Sequence, residues 1–177
     1  MRFFIIFYLF LNSLNTDVVI QWHESVSLSW TDFRGSVESN TDAVAVTASG
    51  ITFSFSVKEL NDEYVSFEVK ANAHFYPDKS WYNKEKGNDH ILAHEQLHFD
   101  ITELHVRKLR YEVSKLEISQ NIKIELRHLH DAINFDLAQM QHAYDSQTEN
   151  SINYEQQLLW SEHIKKELKK YRTFRSQ

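Results

Sequence analysis

His94, Glu95 and His98, inside the stretch HILAHEQLHFDITELH from His90 to His105, have the residue types and spacing of a zinc-hydrolase site. Residues four apart share one face of a helix, so the two imidazoles can present nitrogens to one ion, while Glu95 sits about 100° round and can reach a water on that ion. Zinc polarises a carbonyl and lowers the pKa of its water; Glu95 would take the proton and pass it to a leaving amine. The chain has 10 histidines in 177 residues, and at this composition His-Glu-x-x-His arises by chance roughly 0.05 times. Coincidence is a poor account, which leaves an exposed surface helix as the plain alternative. His105 stands seven residues beyond His98, about 10.5 Å along the axis and too far to share its ion. Gln96, Asp100, Glu103, Arg107 and Arg110 read as one solvated polar stripe, with Glu103 and Arg107 at ion-pair spacing. His23, His74, His90, His128, His130, His142 and His163 are scattered and read as surface or ordinary hydrogen-bonded residues.

The motif must be held by a helix, and the pattern supplies one. Leu92, Phe99, Val106 and Val113 recur every seventh residue, which predicts a helix from a cap at Asn88 to near Leu116. A second is expected from near Asn121, with Ile122, Leu126, Leu129, Ile133, Leu137 and Met140 on one side. A third should follow Ser151 and carry Trp160, Ile164, Leu168 and Tyr171. Upstream the period changes to two. AVAVTAS alternates, its phase switches at Gly50, where a bulge or bend is expected, and YVSFEVKANAHF places Val65, Phe67, Val69, Ala71, Ala73 and Phe75 on one face. Pro77 ends the strands, and DKSWYNKEKGN reads as a loop. The expected fold class is α+β: N-terminal antiparallel strands over 27–75, three helices over 88–173, and the motif on the first long helix.

Length and composition fit one packed domain over 16–177, with 42% hydrophobic and 14% aromatic residues. A net charge of −6 argues against nucleic acid as the main partner. The basic run KKELKKYRTFR from Lys165 to Arg175 reads as a solvated tail. The opening MRFFIIFYLFLNSLN, with Arg2 before nine apolar residues, has the character of a signal peptide over 1–15, so a periplasmic or secreted protein is expected. The apolar run is shorter than the roughly 20 residues of a membrane span, so no stable span is expected after leader removal. There are no cysteines, and export rests on the leader alone.

LSWTDFRG at Leu28–Gly35, AHEQLHFDITE at Ala93–Glu103 and YDSQTENSINYEQQLLW at Tyr144–Trp160 together resemble a bacterial family of unknown function whose members are described as predicted secreted zinc-dependent proteases. The resemblance implies a zincin-like fold, a Zn2+ cofactor, His94 and His98 as metal ligands and Glu95 as the catalytic general base. In that family's pattern a histidine, a natural third ligand, stands two residues after the threonine of the last stretch. Here the position is Asn150. Catalytic zinc normally has three protein ligands and a water, so the third is open: Asn150 itself, or His142, Asp145 or Glu149 in the same segment. Asn150 or Ser151 could equally cap the third helix.

Two functions follow. One is an exported zinc metallohydrolase, a peptidase acting on a peptide or protein laid along an exposed strand such as 64–75, with Tyr76, Tyr82, Tyr144 or His74 steadying the oxyanion. The other is a catalytically degenerate zincin-like envelope domain that binds or scaffolds. Asn150 speaks for the second and the intact Glu95 for the first.

Overall fold

The computed structural model describes residues 18–39 and 41–176, so the leader expected over 1–15 lies outside the described residues. The chain is α+β, with antiparallel strands followed by three helices. Two long strands dominate the first half: β3 (Ser49–Leu60) and β4 (Glu63–Phe75) form a hairpin. Its turn is Asn61-Asp62, with φ of 52° and 64°; two left-handed residues make the turn whose twist suits a hairpin, and Asn and Asp tolerate that conformation best after glycine. β1 (Ile20–Gln21) pairs with the end of β4, giving the order β1-β4-β3, and β2 (Ala45–Val46) pairs separately with β5 (Trp81–Tyr82). The alternation over 65–75 holds: Ala71, Ala73 and Phe75 are buried, and the face fades into solvent at Val65.

Two local expectations are corrected. The ladder runs straight through Gly50, opposite His74, and its irregularity falls instead at Lys58/Glu59. A Cβ at Gly50 would meet only ordinary contact with Tyr76, so nothing there demands a bend. The stretch DKSWYNKEKGN is more than a loop, since Trp81 and Tyr82 pair with Val46 and Ala45. Trp81 is buried and Tyr82 stacks on Trp30 at 4.3 Å; a two-residue strand is too short for periodicity to reveal.

The helices are α1 (Asp89–Val113), α2 (Ile122–Thr148) and α3 (Tyr154–Lys170). Asn88 caps α1 as expected, its side chain accepting from the Ile91 amide at 3.0 Å. The cap of α3 is Asn153, which accepts from the Gln156 amide at 3.2 Å, so Asn150 and Ser151 do not cap it. Together with Glu149 they form three successive left-handed residues, with φ of 51°, 51° and 74° for Glu149, Asn150 and Ser151.

α1 lies at the centre. Phe99, Val106 and Leu109 pack against Ala71, Ala73 and Phe75 of the sheet, while Leu97, Ile101 and Leu104 pack against Leu137 and Tyr144 of α2 and Ile164 of α3. From His94 to Arg110 no residue of α1 is exposed. The stripe expected to be solvated is therefore covered. Glu103 is fully buried, accepts from Arg107 Nε at 2.8 Å and from the Ser176 hydroxyl at 2.9 Å. Arg107 donates to the Leu168 carbonyl at 2.7 Å and Arg110 to the Phe174 carbonyl at 2.9 Å. Asp100 accepts from Trp22 Nε1 at 2.8 Å, and Gln96 from the Leu28 amide at 2.7 Å. The stripe thus ties the irregular segment 22–28 and the end of the chain to the central helix. In the run Lys165–Arg175 the basic residues are exposed, while Ser176, which follows it, is buried. Among the described residues, no helix is long and apolar enough to cross a membrane.

His105 is sealed inside this layer. Its Nδ1 donates to the Ile101 carbonyl at 2.8 Å, and Nε2 has no hydrogen-bond partner among the described residues. Burial is the main reason its pKa falls to about 4. In the unfolded chain the imidazole titrates near 6.5, so between these values the unfolded state binds the more protons and stability falls as the pH drops from about 6.5 towards 4, by up to about 3 kcal/mol. Chemical denaturation across this window should show wild type losing stability on acidification more steeply than His105→Gln. Parallel profiles would show that His105 does not titrate in this way.

Candidate metal centre

The first turns of α1 and the last turns of α2 meet where the His-Glu-x-x-His stretch lies. The 3.6-residue period brings His94 and His98 to one side, and the ring nitrogens approach: Nε2 to Nε2 is 3.2 Å. Asp145, on α2, completes a triangle, its Oδ1 lying 3.2 Å from His94 Nε2 and 2.9 Å from His98 Nε2. Bonds of about 2.0–2.1 Å in a tetrahedron place neighbouring donors about 3.3 Å apart, so these three atoms have nearly the separations of one tetrahedral face. Two nitrogens and one carboxylate oxygen are a donor set zinc accepts. Among the described residues, His94, His98 and Asp145 are the group able to hold a metal ion.

Two buried atoms beside the triangle, His94 Nδ1 and Glu95 Oε2, have no hydrogen-bond partner among the described residues. Glu95 is 4% exposed and lines a cavity of about 190 Å3 together with His94, His98, Asp145, Asn150 and Ser151, walled on the far side by the segment Ala43–Thr47. Thr47 Oγ1 donates to the Glu95 carbonyl at 3.2 Å, which fixes that wall to the helix. A buried carboxylate with an unsatisfied oxygen beside a cavity is costly. It is also what proton transfer to or from a guest requires.

The field of the site favours positive charge. Burial works to raise the Asp145 pKa, but the hydrogen bonds from His94 and His98 overcome it and hold the carboxyl well below the usual range. Burial likewise opposes protonation of His98, and the carboxylates of Asp145 and Glu95 and the Gln141 amide outweigh it, so its pKa is raised. The place between these groups therefore suits a proton or a cation.

Residues behind the triangle orient it. Gln141, one helical turn before Asp145, has Oε1 2.5 Å from His98 Nδ1 and donates from Nε2 to the His98 carbonyl at 2.9 Å. An acceptor on Nδ1 puts the ring proton there and turns a bare Nε2 towards the centre. Tyr144 stacks on His94 with ring centroids 4.4 Å apart and meets His98 edge-on at 4.9 Å. Its hydroxyl is buried against the His94 carbonyl at 3.4 Å, and burial first, then the nearby carboxylates, push its pKa up. The tyrosine is a wall for the imidazoles and faces away from the cavity. Sequence reasoning missed Gln141; its only trace was a position four residues before Asp145.

Asp145 is the member of the third-ligand set that meets both histidines; His142 and Glu149 are exposed and stand outside the group. Asn150 borders the same cavity but is not among the converging donors. His90 anchors its loop, with Nε2 2.8 Å from the Ser151 carbonyl and its ring 3.5 Å from that of Tyr154. Tyr76, Tyr82 and His74 do not line the cavity, and neither does β4, the strand expected to receive a peptide; the strand at the cavity is β2.

The purified protein should bind one zinc per chain, and His98→Ala and Asp145→Ala should each lose most of it by metal analysis. Gln141→Leu should keep the stoichiometry and lower affinity by about 10- to 100-fold in a chelator competition. Undiminished zinc in Asp145→Ala would remove that residue from the centre.

No curated protein and no solved structure matches the chain. One family pattern matches residues 29–151, a span that holds the covered segment after Leu28, both strands of the hairpin, the two histidines, Glu95, Gln141, Asp145 and Asn150. The chain belongs to the family described as bacterial protein of unknown function (DUF922).

Proposed function

We propose that the chain is an exported, zincin-like zinc metallohydrolase, a peptidase in which Glu95 is the general base. The observation that carries this reading is the convergence of His94 Nε2, His98 Nε2 and Asp145 Oδ1 beside a buried glutamate that lines a cavity and whose Oε2 has no hydrogen-bond partner among the described residues. Zinc, when bound, supplies Lewis acidity, polarising a carbonyl and making water more acidic. The chain's own residues do the rest. Asp145 and the two imidazoles hold the cation, Gln141 and Tyr144 keep the rings aimed, and Glu95 accepts a proton from the attacking water and returns it to the leaving amine. A carboxylate shielded from bulk water by the wall at 43–47 acts with less competition from solvent. That wall is also where an extended substrate backbone would lie, since β2 is paired with β5 along one edge and borders the cavity. Asp145 meets the need for a third donor that Asn150 leaves open, which weakens the case for a degenerate binding domain.

Asn150 then has a different part, as the side-chain amide at the cavity able to donate to a substrate carbonyl. Such donors are worth roughly 10²-fold or more in kcat where the oxygen gains charge. Asn150→Ala should keep its zinc and lower kcat by about that factor. Loss of zinc in this variant would make Asn150 a ligand instead.

Glu95→Gln preserves size and removes the base. In a broad peptide-cleavage screen, wild type should cleave and Glu95→Gln should lose turnover while retaining zinc. Equal turnover in the two would exclude Glu95 as the base, and a zinc-loaded wild type without hydrolysis would favour the binding domain. Cell fractionation tests export: recovery of full-length protein only from the cytosol would refute it.

A further inference from the structure

A second, larger recess lies on another side of α1. It has a volume of about 550 Å3 and is bounded by the segment at Trp22 and Glu24, by α1 at Leu97, Asp100 and Arg107, and by α3 and the residues after it. Its floor is apolar: Trp22 and Leu97 are each 6% exposed, and Ile164 is fully buried. Its rim is cationic, carrying Lys165, Lys169, Arg172 and Arg175, although the whole chain has a net charge of −6. The basic run at the end of the sequence therefore borders a cleft.

The inner end of this cleft is built around Arg107, which is 2% exposed. Nε is committed to Glu103 and Nη1 to the Leu168 carbonyl, so the guanidinium is fixed in the plane those bonds define. Nη2 has no hydrogen-bond partner among the described residues. A second carboxylate, Glu24, has Oε1 3.7 Å from Arg107 Nη2 and Oε2 3.7 Å from Arg175 Nη1. Both distances are too long for hydrogen bonds, and Glu24 is more than half exposed. Glu24 thus rests loosely between two arginines, in the place a better-fitting anion would take. Unsatisfied guanidinium donors prefer carboxylate or phosphate oxygens, and a volume of this size suits a small ligand with an apolar body.

We propose that this cleft binds a small amphiphilic anion, a carboxylate or phosphate carried on an alkyl chain, with the head group between Arg107 and the cationic rim and the chain against Trp22, Leu97 and Ile164. The site shares no residue with the candidate metal centre, so its occupancy is read independently of zinc or hydrolysis.

Calorimetric titration with decanoate below its micellar concentration tests this on the full chain, with decanol as the uncharged counterpart and inorganic phosphate as the head group alone. Decanoate should bind saturably, one per chain, and more tightly than either. Lys169→Glu combined with Arg172→Glu, both exposed positions, should weaken decanoate about tenfold or more, whereas Lys58→Glu, on β3 and far along the hairpin, should leave it unchanged. Glu24→Gln removes the competing carboxylate and should tighten binding about threefold. Circular dichroism melting confirms that each variant is folded. Equal binding of decanol and decanoate would reduce the cleft to an apolar surface and overturn the proposal, as would an undiminished affinity in the double variant. Association with anionic vesicles but not with free decanoate would assign the cations to a membrane surface and overturn it too.

Discussion

Burial of α1 on every side between His94 and Arg110 is the constraint from which the other features follow. This helix is rich in ionisable groups, and a buried charge is tolerated only when it is paired and hydrogen-bonded. The pairing divides the helix in two. Towards its start, His94, Glu95 and His98 are matched by Asp145 and Gln141 of α2, leaving a carboxylate oxygen and an imidazole nitrogen without partners. Further along, Glu103, Arg107 and Arg110 are matched by chain ends and backbone carbonyls. The same physical demand leaves a candidate metal centre at one end and fastening at the other.

The fastening half bears on the candidate metal centre through rigidity. Asp100 and Gln96 lie within one turn of His98 and Glu95, and they are tied to Trp22 and Leu28. Segment 22–28 has little regular structure of its own, so its order depends on these bonds and on the packing of Trp22, Leu28 and Phe33 against the sheet side of the core. Side chains on a helix whose neighbours on all sides are packed or bonded keep their geometry without help from a ligand.

What could be read from the sequence was what depends on neighbours in sequence. Asn88 as cap, the inward face from Phe67 to Phe75 and the shared side of His94 and His98 all follow from local spacing. Asp145 was visible only as one of several acids and histidines in the right segment, because its partners lie about 50 residues away, and spacing within α2 does not say which side chain faces α1. The stripe from Gln96 to Arg110 was misjudged for a related reason. A polar face signals solvent only if nothing polar covers it, and here the cover includes backbone amides and carbonyls, the Trp22 indole and the Ser176 hydroxyl, groups that hydropathy does not mark. The two-residue strand at Trp81 was below the length at which alternation can be seen.

The turn between α2 and α3 shows how a protein can obtain precision from an unfavourable backbone. Glu149, Asn150 and Ser151 hold left-handed angles in succession without a glycine among them, each at a cost of roughly 1–2 kcal/mol. Glycine would adopt these angles freely, but it would adopt many others as readily. A side chain at each position narrows the choice, and with the His90 ring locked against Tyr154 the turn has one shape imposed from outside. The edge of the cavity thereby has a shape set by the fold and not by anything that enters it.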